Sequence, residues 1–309
     1  MEEQMKNEKH SSRLKSGIAI GVAFLIFCTP SISFGWGAGG HMMVAQIAFK
    51  RLNPRAKAKA NELLAISIAP VAVTAKSKDF VSASHWADDL RPFAEFDSFK
   101  PLHFIDHPFS TDGTALPADL PDPENIVKAL QDNVNILKTS TDKNAQAQAL
   151  RFVIHFVGDI HQPLHAATRV DAAHPEGDRG GNLFTILIPV PGGEPKKTNL
   201  HSYWDGGIGS FPPTGENFKP PPLSQIPSAA AKAMVGNPAT DPALKLNDPF
   251  NYAAWGDESF ALAKNVVYKG ITSGGKPTTA YKNAGLKVVR KRVAWGGYRL
   301  AALLNAIWP

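Results

Sequence analysis

Within "LRFVIHFVGDIHQPLH", residues 150–165, His155 and Asp159 stand four apart, so on a helix they share one face. Most of the stretch around them is apolar: Leu150, Phe152, Val153, Ile154, Phe156, Val157 and Ile160. A helix that is apolar nearly all round is buried. Burying a carboxylate costs several kcal/mol unless it is paired or binds a metal. For this pair alone a His–Asp hydrogen bond is as good an account. The rest of the chain shifts that balance. His165 follows after Pro163, and His201 and Asp205 form a second i, i+4 pair in "NLHSYWDGG". Asp88 lies in "HWADDLR", His103 in "PLHFID", and His41 near the front. Imidazole and carboxylate are the groups that Zn²⁺ takes where cysteine is missing, usually four ligands per ion counting water. These side chains exceed the need of one zinc and suffice for two or three, particularly if one carboxylate bridges. Structural zinc sites are mostly Cys-rich and closed, so an all-N/O cluster leans towards catalysis.

The elements that must position these groups read as mostly helical. Ala-, Met- and Leu-rich helical patterns cover 42–52 and 56–66, and "SKDFVSASHWADDLR" (77–91) reads as another helix ending near Pro92. A Pro/Asp-rich loop (108–123) leads to helices at about 123–138 and 143–161, the second closed by Pro163. "NLFTILIPV" (182–190) is the best strand candidate and runs into the turn "PGGEP". A proline-rich loop follows at 211–227. The last pattern, 277–307, sets Leu286, Val289, Val293, Leu300, Leu304 and Ile307 on one stripe, with Lys287, Arg290 and Lys291 on a solvated face beside it. The expected fold class is mainly α: an irregular multi-helix bundle with one small β-hairpin, in a single domain over 36–309.

The first 35 residues read as a signal peptide. Lys6, Lys9, Arg13 and Lys15 form a basic segment, and the apolar run "GIAIGVAFLIFC" (17–28) is too short to span a bilayer comfortably. Ser33-Phe34-Gly35 is a small-x-small pattern that favours cleavage between Gly35 and Trp36. The expected location is therefore secreted or periplasmic, with no stable membrane insertion after cleavage. The remaining chain carries 29 Lys and Arg against 24 Asp and Glu. Such a modest positive excess suits an anionic substrate without demanding one. Cys28, the only cysteine, leaves with the signal. The mature protein then has no disulfide and needs a large core or bound metal to hold it.

"WGAGGH", "WADDLR", "LHFID", "HFVGDIHQPLH", "GDRGGN" and "NLHSYWD" occur in that order from 36 to 205. Together they resemble the S1/P1 nuclease family, zinc-dependent enzymes related in fold to zinc phospholipase C. The resemblance implies three zinc ions per chain. Asp88, His103, His155 and Asp159 would hold the first, and His165, His201 and Asp205 the second. The third would be held by His41, by Asp159 acting as a bridge, and by the amino nitrogen and carbonyl oxygen of Trp36. His85, His107, His161 and His174 are left as non-ligands.

The activity implied is endonucleolytic hydrolysis of single-stranded DNA and RNA to 5′-phosphorylated products, with 3′-nucleotides as further substrates. Paired zinc ions polarise a phosphoryl oxygen and lower the pKa of a shared water towards ~7. Asp88 would also orient the nucleophile. Arg91, one turn on, matches the family's phosphate-clamping arginine, for which a planar fork is suited; its alternative is a surface ion pair with Asp89 or Glu95. Phe104 and Asp106 resemble the family's base site, a ring that stacks an unpaired base and a carboxylate that accepts from it. Asn182 matches a residue near the cluster. A phospholipase C is disfavoured by the five-residue Trp36–His41 spacing and by Asp205 where those relatives tend to have Glu. A periplasmic zinc-binding or storage protein would need the ligands but neither clamp nor base site. A monomer is expected.

Overall fold

The computed structural model describes residues 35–214 and 219–309, all within one compact unit, Ser33–Pro309. The expected basic segment, the apolar run and Cys28 lie outside the described residues.

Helix α1 (Ala38–Phe49) is followed by α2 (Pro54–Leu64), which Asn53 caps by accepting from the Ala56 N–H, with Pro54 preset for the first turn. A short turn, α3 (Val71–Thr74), precedes the region expected to be one helix over 77–91. There the chain forms a 3₁₀ turn, Ser82–His85, and then a single α-turn, α4 (Trp86–Asp89). The reason is side-chain competition for the backbone. Asp79 accepts from the N–H groups of Val81 and Ser82, and Ser84 Oγ bonds back to the Val81 carbonyl at 2.6 Å. A 3₁₀ run, Ala94–His103, then leads to β1 (His107–Ser110).

Helices α5 (Ile126–Thr139) and α6 (Lys143–Asp159) start at Asn125 and Asp142, each of which accepts from two first-turn N–H groups. Every residue of α6 from Leu150 to Asp159 is buried, as the apolar pattern requires. It stops at Asp159 because Pro163 has no N–H to give that carbonyl, which instead accepts from Gln162. Pro163–Ala166 form a 3₁₀ turn into β2 (Ala167–Val170). β2 pairs in parallel with β1, His107 opposite Ala167. This second small sheet was not expected. It zips the 103–110 segment to 165–170, with Ile105 N donating to the His165 carbonyl at 2.7 Å.

The expected hairpin is present. β3 (Thr185–Ile188), inside the expected strand at 182–190, pairs antiparallel with β4 (Lys196–Asn199). Asn199 then caps α7 (Leu200–Asp205), so the hairpin delivers His201 and Asp205 to the centre. The expected proline-rich loop at 211–227 runs into α8 (Ile226–Met234), which packs against α1 and the C-terminal helix. After α9 (Tyr252–Leu262), the 29-residue α10 (Thr279–Ile307) closes the core against α1, α6 and α8. The fold is mainly α, as expected.

Candidate metal centre and active site

All eight His and Asp side chains singled out above are buried, and they fall into three groups whose ligating atoms could share an ion: Asp88, His103 and His155; His41, His155 and Asp159; and His165, His201 and Asp205. The end of α6 is the hub. Asp159 Oδ2 lies 2.9 Å from His103 Nδ1 and 3.0 Å from His155 Nε2, and those two nitrogens are 3.1 Å apart. Asp88 Oδ1 stands 3.7 Å from His155 Nε2 and 3.9 Å from His103 Nδ1. Donors about 2.0–2.1 Å from a common centre form a tetrahedron with edges of about 3.3 Å. The four atoms scatter around that value.

Three of the five imidazoles are aimed by a backbone carbonyl. His155 Nδ1 donates to Ser84 O (2.7 Å), His165 Nδ1 to His103 O (2.6 Å), and His201 Nδ1 to Gly180 O (2.7 Å). Fixing one nitrogen as N–H leaves the other's lone pair for a metal, the usual outer arrangement of a metal-bound histidine. The break in the expected 77–91 helix thus has a use, because it leaves the Ser84 carbonyl open to His155. Gly180 is held by the turn around Asp178, whose Oδ1 accepts from the N–H groups of Arg169 and Gly181 and from Tyr268. Gln162 donates to Asp205 Oδ1 at 2.7 Å, and that oxygen lies 3.5 Å from His201 Nε2.

The His41 group is the least satisfied. Its ring stacks on His155, centroids 4.0 Å apart, and Nε2 lies 3.2 Å from Asp159 Oδ1. His41 Nδ1 is buried with no hydrogen-bond partner among the described residues, and Nε2 and Asp159 Oδ1 face each other there. Orphaned buried acceptors cost free energy unless something positive meets them. A cation bound here would supply that positive charge, so the residues fit a metal. Gly158 makes the stacking possible: a Cβ there would lie 2.5 Å from His41 Nδ1. Trp36 is fully buried beside this group. A Cβ on Gly35, the residue before it, would overlap Asp159 Oδ1 and come within 2.8 Å of His41 Nε2.

Electrostatics point the same way. Burial works against a charge on His155, yet the Asp159 and Asp88 carboxylates hold its pKa at about 9. Burial takes His103 and His41 down to about 4. Burial alone would raise Asp88 and Asp159, but Arg91 and the imidazoles hold Asp88 below the usual carboxylate range, and the imidazoles hold Asp159 well below it. Asp205 is pushed well above its ordinary value, chiefly by burial. Protons on His155 and Asp205 are therefore what a divalent cation would displace.

Of the remaining predicted residues, Arg91 Nη2 pairs with Asp88 Oδ1 at 2.8 Å, neither with Asp89 nor with Glu95. Asp89 is taken by His85 (2.7 Å). Phe104 is half-buried on extended backbone next to His103. Asp106 is pushed up to about 7 by burial and by the Asp178 carboxylate. Asn182 Nδ2 donates to Arg179 O, and its Oδ1 is buried without a partner. None of His85, His107, His161 and His174 belongs to a ligand group. Sequence reasoning did not find Ser84, Gln162 and Gly180. The only available signal was Gly158, a glycine in an apolar helix, which marks a close approach.

A family model described as S1/P1 nuclease matches residues 36–309. Endonuclease 2 of Arabidopsis thaliana is 29% identical over 92% of this chain and 94% of the relative. Nuclease P1 of Penicillium citrinum is 27% identical over 88% and 97%. Nuclease S1 of Aspergillus oryzae (strain ATCC 42149 / RIB 40) is 25% identical over 89% and 93%.

Proposed function

The chain belongs to the S1/P1 nuclease family and is a phosphodiester-hydrolysing enzyme, and on that premise we propose that it is an exported three-zinc endonuclease acting on single-stranded DNA and RNA and on 3′-nucleotides. The observation that carries this reading is the set of three buried His/Asp groups, two of them sharing His155, with polar atoms at His41 that have no cation to meet them among the described residues.

Asp88, His103, His155 and Asp159 would hold one zinc, His165, His201 and Asp205 a second, and His41, Asp159 and the Trp36 amine and carbonyl a third. Bound zinc supplies Lewis-acid polarisation of the phosphoryl group and a water of lowered pKa. The chain's own groups do the positioning. Arg91, held at the edge of the cluster by Asp88, presents its fork to the non-bridging phosphoryl oxygens. Asp88 in turn orients the attacking water. Phe104 offers a face for an unpaired base and Asp106 an acceptor for its exocyclic amine, which selects single strands because paired bases have neither free. Asn182 Oδ1 is a further acceptor, next to Gly181, whose carbonyl accepts from the His201 N–H.

Export and cleavage after Gly35 complete the site. A peptide nitrogen cannot donate a lone pair as an amine does, and Gly35 stands against Asp159 and His41. The family match beginning at Trp36 supports the same boundary. Among the described residues no helix is long and apolar enough to cross a membrane.

Protein beginning at Trp36 should bind three zinc ions and cut single-stranded DNA, RNA and a 3′-nucleotide, losing all three activities with chelator. A version retaining residues before Trp36 should lose the third zinc and most activity. Hydrolysis of phosphatidylcholine in place of nucleic acid would overturn the substrate assignment. Retained zinc with no hydrolysis would leave only a metal-binding protein.

A further inference from the structure

Beyond the His/Asp cluster, a cavity of about 490 Å³ opens between α1, α8 and α10. Its walls include Met43, Phe211, Ser224, Ser228, Lys232 and Arg290. It exists because the proline-rich region folds back as α8 and does not leave the surface as a loop.

Three observations give the cavity a ligand chemistry. Among the described residues that line it, the charged ones are Lys232 and Arg290, both cations. Lys232 and Arg290 are exposed, and neither makes an ion pair among the described residues. The hydroxyl of Ser224 adds a hydrogen-bond donor at the same wall, beside Ser228, whose own hydroxyl donates to the Gln225 carbonyl at 3.4 Å. Cations and a hydroxyl facing one concavity suit a phosphate group. The volume is within the usual range for a small-molecule subsite.

Position supplies the rest. Phe211 forms one wall, and its ring meets Trp36 edge-on with centroids 5.4 Å apart. It is seated by Gly40, where a Cβ would lie 2.6 Å from Phe211 and 2.7 Å from Trp36. A single aromatic ring therefore separates this cavity from the tryptophan that packs beside His41 and Asp159.

We propose that this cavity is an accessory subsite for backbone phosphates of a single-stranded polynucleotide, outside the bond that is cut, with Lys232 and Arg290 as its cations. The proposal rests on the nuclease reading above, and the test separates the two. In zinc-loaded full-length mature protein, the Lys232→Gln/Arg290→Gln pair is compared with wild type on a thymidine dinucleotide and on an oligothymidylate of about twenty nucleotides. The expected result is a KM for the oligomer raised about tenfold, with kcat and dinucleotide hydrolysis unchanged. The salt dependence of log KM for the oligomer should flatten by about 1.4, at about 0.7 for each lost single-strand phosphate contact. Both side chains are exposed, so the melting temperature should hold. Lys232→Glu alone should raise the oligomer KM further than Lys232→Gln. An equal effect on both substrates, or no effect on either, would overturn the subsite while leaving the nuclease intact. If wild type cuts neither substrate, it is the nuclease reading that falls.

Discussion

His155 and His161 lie six residues apart in one motif, both fully buried, and they belong to opposite kinds of polar cluster. His161 Nδ1 donates to the Val157 carbonyl at 2.7 Å, and its Nε2 accepts from Arg299 Nη1 at 3.1 Å. Arg299 and Arg292 converge on Glu258, with three contacts of 2.7 Å, and Arg292 also reaches the carbonyls of His161 and Trp255. That cluster contains its own cations, and the groups named have their partners. Burial and the two guanidinium charges drive His161 well below its ordinary pKa, so it remains a neutral acceptor. Around His155 the inventory is reversed. Two carboxylates and two imidazoles face one another at 2.9–3.9 Å, and apart from the displaceable proton on His155 the cation paired with them is Arg91 at the margin. A buried histidine is thus read as structural or metal-binding from whether the chain supplies the positive charge its neighbours need.

The largest expected effect comes from removing the shared carboxylate. Asp159→Asn should lower zinc content by at least one ion per chain and kcat/KM for single-stranded DNA by on the order of 10³-fold, beyond the 10–100-fold typical of an outer-shell partner. Metal analysis and steady-state hydrolysis on the same preparation would check it. Full zinc and near-normal turnover would make Asp159 an acid of the Glu258 kind, and the two clusters would no longer differ.

The second prediction comes from the other cluster. Glu258→Ala strands two arginines that are buried at 1% and 2% side-chain exposure, and should destabilise the fold by about 3–5 kcal/mol in denaturant titration. Zinc content and kcat of the folded fraction should be unchanged. If zinc were lost as well, the carbonyls of Ile160 and His161, which Arg292 engages, would be linking the two clusters into one unit.

Much of the metal side was legible because its geometry is local. The i, i+4 pairs at 155/159 and 201/205 needed only a helix under them, and an all-apolar helix holding a carboxylate already demanded a partner. What could not be read was set by contacts distant in sequence. The 77–91 segment has helical spacing, but Asp79 and Ser84 bond their own backbone, and only the presence of His155 gives the freed Ser84 carbonyl a purpose. The β1–β2 pair is four residues long and joins segments some sixty apart, too short to show a period. Arg292 and Arg299 are seven apart on α10 and look like ordinary helix-surface cations until Glu258 and His161 are folded against them. The proline-rich region concealed α8 because its first helical turn carries Pro227, where a helix tolerates it.

The smallest expected effect concerns Asp106, which has neither a metal group nor a cation of its own. Burial and the neighbouring Asp178 raise its pKa from the ordinary 3.8 to about 7. Because the folded value exceeds the unfolded one, the folded chain holds a proton that the unfolded chain has released. The resulting stability is fully present below about pH 4 and is lost as pH rises through about 7. Asp106→Asn is neutral throughout, so its melting temperature should fall less than that of wild type between pH 4 and 7, and the two should run parallel above 8. Function should follow the same titration. Below 7 the carboxyl carries a proton and loses acceptor capacity towards a base amine; above 7 it can accept with both oxygens. The wild-type KM for a single-stranded substrate should therefore carry a limb near pH 7, of less than about tenfold, that Asp106→Asn lacks. Should the limb persist in the variant, the titrating group belongs to the His/Asp cluster and Asp106 is only a buried acid. Should the melting curves already run parallel at pH 5, its proton is no tighter than in the unfolded chain, and the pH dependence of base recognition would have to arise elsewhere.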